Sequence, residues 1–552
     1  MQAGPGYVEK GAPVIFSGNF RGMLAVSLLH LPVLAGAAAA TPVRLFPVLE
    51  YQVEGNTLLP AIDIERAVTP FLGIGKSIKD VEAARRNLEK VYHDHGYQTV
   101  LVNIPQQEVS NGVVRLSVTE APVGQLQIAG SRYHSPDAIR EKMPQLQEGE
   151  VPDFAEVQKE LAAVNQTQDL HVIPVLRASS TPGKVDVELD VQDTLPLHAM
   201  LEVNNRYSPN TSEIRTIGEV SYDNLFQSNQ SVSIQYQTAP ENPANAKIWS
   251  VSYVIPLQAG SVLAMYAVSS DSNIAAVGDL SIIGNGNIYG LRLIEPLASP
   301  ASNFYHNFTA GVDFKDFKQD VVLQGADNIP SPARYAPFSL DYNATWLGPQ
   351  NPTQYASAAT TANRSNITLD LGASFLVRFI GGTDAAQFAV KRFGADPNFF
   401  IFHPSLQIQQ ILAANWSLNA KFDAQVASGP LISNEQYGAG GVDSVRGYAE
   451  SERLGDNGVH SSLELRTPQL LNRETPHITQ SYLYLFTDGA DLHLIEPLPG
   501  QTAVYRLASY GAGMRFKVSG LTADLDGARA AIAGYVTEKG AYSAQFRVNY
   551  AW

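Results

Sequence analysis

The sequence predicts a mainly β protein: a 16-stranded antiparallel transmembrane β-barrel preceded by two small α/β (β-α-α-β-β) domains. Three observations carry that prediction. From Leu197 to Trp552, segments of roughly ten residues alternate apolar and polar side chains between clusters of Gly, Asn, Ser and Pro. Residues 45–192 hold an internal repeat that mixes helical and strand periods. The chain ends Phe546-Arg547-Val548-Asn549-Tyr550-Ala551-Trp552, apolar at every second position and aromatic at the last.

Composition agrees with a barrel. The 552 residues include 16% charged residues, against roughly 25% in soluble proteins. Tyr (24) and Phe (22) are abundant, yet the mean hydropathy is only −0.09. A wall that is apolar outside and wet inside has this mixture. A net charge of −15 with no basic stripe speaks against nucleic acid as a partner. The absence of cysteine excludes disulfides, thiolate metal sites and cysteine nucleophiles.

Residues 1–40 are read as a signal peptide with an upstream segment. Lys10 and Arg21 precede the apolar run Met23 to Ala35, small residues follow through Ala40, and cleavage is placed near Thr41. The run falls short of the ~20 residues that span a bilayer.

The first domain, 45–120, opens with a strand from Phe46 to Val53 and a short helix around Ile62 to Thr69. A second helix carries Val81, Ala84, Leu88 and Val91 on one face and stops at Gly96. Strands 99–104 and 113–118 follow. The second domain, 121–192, repeats the order: strand 123–128, a helix starting at Ser135-Pro136, a helix with Phe154, Val157, Leu161 and Val164, then strands 170–176 and 185–191. Each three-stranded sheet leaves an edge able to accept another extended chain.

The barrel domain, 197–552, divides into strands at 197–207, 214–224, 230–238, 246–256, 260–270, 284–297, 303–316, 334–347, 366–379, 399–411, 414–428, 459–467, 478–489, 503–516, 519–531 and 541–552. Three strands end at Pro256, Pro296 and Pro468, which predicts short turns on one rim. The long connections 317–333, 348–365, 380–398 and 429–458 are expected on the other rim. Alternation places Leu483 and Leu485 towards lipid and Tyr482, Tyr484, Phe486 and Asp488 towards the lumen. A charge facing lipid costs up to about 2–4 kcal/mol at the midplane. In the last strand Phe546, Val548, Tyr550 and Trp552 face lipid, and Arg547 and Asn549 face inward.

The connection 429–458 holds Gly438-Ala439-Gly440-Gly441-Val442-Asp443-Ser444-Val445-Arg446-Gly447-Tyr448. An arginine there needs a charge partner, and Phe486-Thr487-Asp488-Gly489 offers one. Val445-Arg446-Gly447-Tyr448, Phe486 with Asp488, the duplicated domain and the sixteen strands together resemble the outer-membrane transporters of two-partner secretion, the TpsB (ShlB/FhaC/HecB-like) branch of the BamA-type superfamily. The duplicated domains resemble POTRA domains. The resemblance implies a lumenal loop hairpin whose Arg446 pairs with Asp488 on the inner wall. It also implies a secreted, TpsA-like exoprotein partner with an N-terminal secretion domain, recognised unfolded in the periplasm. Outer-membrane lipid and the barrel-assembly machinery are the other partners implied. Here Gly489 is followed by Ala490, so the motif's second glycine is displaced. No plug helix is expected, leaving pore closure to the loop.

Other chemistry is not supported. His93 and His95 end a helix without an evident third metal ligand. The glycines at 438–441 lack a phosphate-loop Lys-Ser/Thr, and no Gly-Xaa-Ser-Xaa-Gly elbow exists. A transporter without cofactor or enzymatic activity is expected; a BamA-like assembly factor and a passive porin are the rivals.

Overall fold

The computed structural model describes residues 44–109, 111–165, 167–257, 260–272, 274–277, 280–283, 285–318, 320–321, 329–330, 332–348, 365–376, 384–471 and 478–552. The signal-peptide expectation falls outside these residues. The chain divides into two compact units, one with residues up to Tyr92 and Val100–Thr119, the other with His93–Thr99 and Glu120–Trp552.

The first unit packs helices Ala61–Val68 and Ile78–Asp94 with a sheet in the order Glu50–Glu54, Val113–Glu120, Val100–Asn103. The first two of these strands run parallel. The expected strand from Phe46 to Val53 is two strands. Phe46–Val48 leaves the main sheet and pairs with Gly73–Lys76, a strand the sequence reading missed. The long helix buries Val81, Ala84, Leu88 and Tyr92 rather than Val91. Both Val91 and Tyr92 fit a helical stripe after Leu88; Tyr92 takes the place because its hydroxyl reaches the Asn56 side chain.

The second module repeats the plan within the other unit. Val123–Ala129 runs parallel to Val185–Asp193, which pairs antiparallel with Leu170–Ala178. Helix Phe154–Val164 buries Val157 and Val164, and Asp153 caps it by accepting the Ala155 N–H. The first helix is Pro136–Glu141; Ser135 precedes it, but its side chain does not cap it. Instead the Ser135 N–H donates to Gln227, at 2.8 Å, in a turn of the barrel, and Gln227 donates to the Tyr133 carbonyl. His198 Nε2, on the first barrel strand, lies 2.9 Å from the Asp169 carboxylate, within hydrogen-bond reach.

Acid should loosen this module first. Burial favours the neutral imidazole of His134 and pushes its pKa down, against the pull of Asp193. Burial also works against the Asp193 carboxylate, but donors from the Tyr133, Arg132 and His134 amides outweigh it and lower its pKa. Both groups therefore bind protons less readily folded than unfolded. Stability is full above the unfolded histidine pKa of ~6.5 and falls below it; the Asp193 contribution goes as pH drops past ~4. Hydrogen exchange on the full chain should show residues 123–193 losing protection relative to the barrel between about pH 7 and pH 5. Equal protection at both would contradict this assignment.

The barrel follows from the module without a long linker. Its strands are β1 (Leu197–Asn204), β2 (Arg215–Leu225), β3 (Gln230–Thr238), β4 (Lys247–Pro256), β5 (Val262–Ser270), β6 (Gly286–Pro296), β7 (Phe304–Phe317) and β8 (Ala333–Tyr335 with Phe338–Leu347). They continue as β9 (Asn366–Phe375), β10 (Phe400–Ile411), β11 (Ser417–Ala427), β12 (Asn457–Arg466), β13 (Ile478–His493), β14 (Val504–Val518), β15 (Leu521–Ala530) and β16 (Tyr542–Ala551). Neighbours pair antiparallel, and β16 closes on β1, with Arg547 opposite Asn204 and Ala551 opposite Met200. The Asn205 side chain extends that seam by accepting the Phe546 N–H and donating to the Ala544 carbonyl. Pro337, which has no N–H for the ladder, separates the two parts of β8.

Each sequence-predicted strand has its counterpart, displaced by a few residues at its ends. Strand parity corrects one expectation. Even-numbered strands end at the rim where the chain enters, so the Pro256, Pro296 and Pro468 turns share that proximal rim. The connection 348–365 runs from the end of β8 to the start of β9, and both of these strand ends lie at the proximal rim; residues 349–364 lie outside the described residues. Loop length was a poor guide, because alternation alone fixes the rim. The other three long connections leave odd-numbered strands, whose ends lie at the far rim.

The faces alternate as the pattern requires. On β13, Leu485 is 63% exposed on the outer wall and Asp488 is 3% exposed within. On β16, Val548, Tyr550 and Trp552 are exposed outward, Phe546 is half-buried on the same face, and Gln545 is buried inward. The Tyr550 and Trp552 rings stack at 5.7 Å.

Candidate functional site

The β11–β12 connection folds back as a hairpin, with Tyr437–Ala439 paired to Arg453–Gly455. β12 begins at Asn457, so the loop closes slightly earlier than 458. Between the hairpin arms the chain crosses to the inner wall made by β12 to β16. Val445 is fully buried among Ala439, Tyr448, Leu492 and Leu507. That apolar contact presents the next residue, Arg446, to the wall.

Arg446 is 3% exposed. Its Nε and Nη2 donate to the two oxygens of Asp488 at 2.8 and 2.7 Å, the bidentate geometry that suits a guanidinium. Its backbone N–H donates to the same carboxylate at 3.1 Å. Nη1 donates to Glu464 on β12 at 2.6 Å, and Nη2 to the Ser462 hydroxyl at 3.1 Å. Asp526 on β15 lies 3.8 Å away and accepts from the Tyr484 hydroxyl. Arg446 Cζ sits 3.6 Å from the centre of the Phe486 ring, a cation–π contact. Gly511 on β14 gives that ring its space: a Cβ there would approach Phe486 Cζ to 2.5 Å.

One expected partner has become three carboxylates. Glu464 is shared with Arg466, which donates to it at 2.6 Å. Its signal was present in the sequence, since it falls on the inward parity of β12, where a mid-strand carboxylate avoids lipid. The asymmetry has a consequence: Asp488→Asn leaves Arg446 with Glu464, whereas loss of Arg446 leaves the acids facing each other.

Gly447 and Tyr448 are fixed separately. Gln545 on β16 accepts the Gly447 N–H at 3.1 Å and donates to the Tyr448 carbonyl at 3.2 Å. The Tyr448 hydroxyl lies 2.7 Å from the Ile532 carbonyl and 2.9 Å from that of Ala508. Arg206, just past β1, donates to Glu450 at 3.1 Å and also pairs with Asp443. Glu452 accepts the N–H groups of Tyr535, Val536 and Thr537 in the β15–β16 connection. None of Gln545, Arg206 or Glu452 was singled out in the sequence. Their partners are remote along the chain, so only closure of the barrel brings them together.

The residues named for the last strand, Phe546, Val548, Tyr550 and Trp552, stand apart from this cluster on the outer wall.

Comparisons with known proteins agree with this architecture. The family model described as haemolysin secretion/activation protein ShlB/FhaC/HecB matches residues 183–299 and 349–516, and that of the POTRA domain, ShlB-type, matches 46–121. The heme/hemopexin transporter protein HuxB of Haemophilus influenzae is 19% identical over 429 residues, covering 75% of this chain and 71% of its own. The outer membrane transporter CdiB of Escherichia coli O6:K15:H31 is 20% identical over 452 residues, covering 78% and 70%. A solved structure of CdiB from Escherichia coli superposes with a TM-score of 0.60 at 17% identity, covering 94% of this chain and 92% of that one. BamA from Haemophilus ducreyi, lacking POTRA domains 1–3, gives 0.55 at 14% identity, covering 92% and 100%. The family match spans more than half of the sequence, and the chain belongs to the haemolysin secretion/activation (ShlB/FhaC/HecB) family of TpsB transporters, barrels of the outer membrane with POTRA domains in the periplasm.

Proposed function

We propose that this chain exports one exoprotein across the outer membrane by two-partner secretion. The observation that carries the reading is the loop pinned to the inner wall through Arg446, in a barrel preceded by modules with open strand edges. A substrate arriving unfolded adds as a strand to a module edge, where main-chain hydrogen bonds accept many sequences. It then passes the lumen as the loop shifts, and folds outside. Folding and capture supply the direction, with no nucleotide hydrolysed.

Val445, Arg446, Gly447, Tyr448, Phe486 and Asp488 hold the loop in this reading. Phe546, Val548, Tyr550 and Trp552 form the outward strand that the assembly machinery recognises and lipid covers. The related HuxB, a heme/hemopexin transporter, and CdiB, an outer membrane transporter, make a secreted protein partner the natural cargo class.

The test is deletion of the chain followed by proteomics of the culture medium and of the outer membrane. Loss of one large exoprotein from the medium with an unchanged set of membrane barrels is expected. Intact secretion with depleted barrels would overturn the reading in favour of an assembly factor.

A further inference from the structure

The far mouth of the barrel carries a second fastening, between the base of the lumenal loop and the β9–β10 connection, apart from the Arg446 contact. The β9–β10 connection contains helix Ala385–Lys391, capped by the Asp384 side chain. Phe388 on this helix is 1% exposed. It meets the Tyr335 ring at 5.3 Å and the Phe399 ring at 6.4 Å. Around it lies an apolar cluster drawn from the far ends of strands β4 to β10: Ile248, Val268, Ile288, Phe317, Tyr335 and Ile401. Leu431 and Ile432, at the start of the lumenal loop, complete it. A wet lumen does not need such a core, and its position at one end is that of a lid seated on a rim.

A half-buried arginine paired to a fully buried carboxylate fastens this lid. Arg392, directly after the helix, grips the Asp456 carboxylate with both Nη groups, one at 2.7 Å. Asp456 is fully buried and also accepts from the Leu431 N–H at 3.0 Å, Gln436 Nε2 at 3.0 Å and the Ile495 N–H at 2.7 Å. Arg392 returns hydrogen bonds to the Leu431 and Ile495 carbonyls. One knot thus ties three far-rim connections, those after β9, β11 and β13. It shares no residue with the Arg446 cluster.

We propose that Arg392 and Asp456, with Phe388 beneath, form an outer gate, and that this gate opens separately from the Arg446 contact when a chain leaves the lumen. The inference deepens the transport reading above and rests on it for the passage of a protein, though not for the closure itself. Arg392 and Asp456 are positioning residues: they hold the lid, and the apolar seat excludes ions.

The experiment uses the full chain in planar lipid bilayers, with potassium chloride as the probe. Folding is checked by heat-modifiable migration. Arg392→Gln and Phe388→Ala should each raise the frequency of open events by about tenfold over the parent, as expected when the partner of a buried carboxylate or an aromatic anchor is removed. A tether supplies the converse. Gln387 accepts the Arg334 N–H at 3.2 Å on the exposed side of the lid. Arg334→Cys with Gln387→Cys, in a chain without cysteine, joined by a short reversible thiol cross-linker, should hold conductance at or below the parent level until reductant is added. Parent-like conductance in folded Arg392→Gln and Phe388→Ala would overturn the gate, as would tethered barrels that open as often as untethered ones. Should deletion of the chain leave secretion intact while these variants still leak, the transport reading fails and the gate stands. Defective export in Arg446→Ala beside silent gate variants removes the gate alone.

Discussion

Arg446→Ala is expected to reduce export by roughly tenfold or more while the barrel stays inserted and heat-modifiable, since breaking a buried ion pair costs about 3–5 kcal/mol. The reason lies in the charge count around the guanidinium. Asp488, Glu464 and Asp526 all converge on it. Removing the cation leaves these acids facing one another beside a bare Phe486 ring, and the loop loses its central anchor. Asp488→Asn should be milder, because Glu464 still accepts from Arg446 at 2.6 Å. Immunoblots of the exoprotein in the medium, set against the folded barrel band, measure both. Normal export in Arg446→Ala would remove any working role for the loop. Equal defects in the two variants would contradict the shared-carboxylate account.

Gly447→Val should displace the loop from the wall while leaving every charge in place. Gly447 has φ +94°, a conformation β-branched residues avoid, and a Cβ there would stand 3.0 Å from the Ala528 methyl. The backbone strain alone costs about 1–3 kcal/mol. The valine must also push against β15, so the N–H bond to Gln545 at 3.1 Å is lost or stretched. Export should fall by about tenfold, the equivalent of about 1.4 kcal/mol, and protease access to residues 440–450 in intact cells should rise. Unchanged access and export would show that the turn tolerates a side chain. Gly447→Ala, with a smaller clash, should lie between.

The barrel strands were legible because a two-residue period survives without knowledge of partners. Leu483 and Leu485 could face only lipid once Asp488 faced the lumen. The helices of the modules were legible for the same reason at a different period. What failed was local choice between near-equivalents: Tyr92 displaced Val91 once Asn56 offered its hydroxyl a partner. The length of a connection does not say which rim its flanking strands reach; strand parity does.

By itself, then, the alternation of residues indicated how the chain crosses and which side chains line the water, and a loop motif, not alternation, pointed to the arginine in need of an acid. Those are one-dimensional properties, read along the chain. Gln545 across the closed cylinder and Arg392 on Asp456 belong to the folded molecule. Each joins segments that no periodicity relates. Barrel closure sets the register that brings β12, β13 and β16 around one loop, and the packing of a far-rim helix on an apolar seat decides where the outer mouth is held.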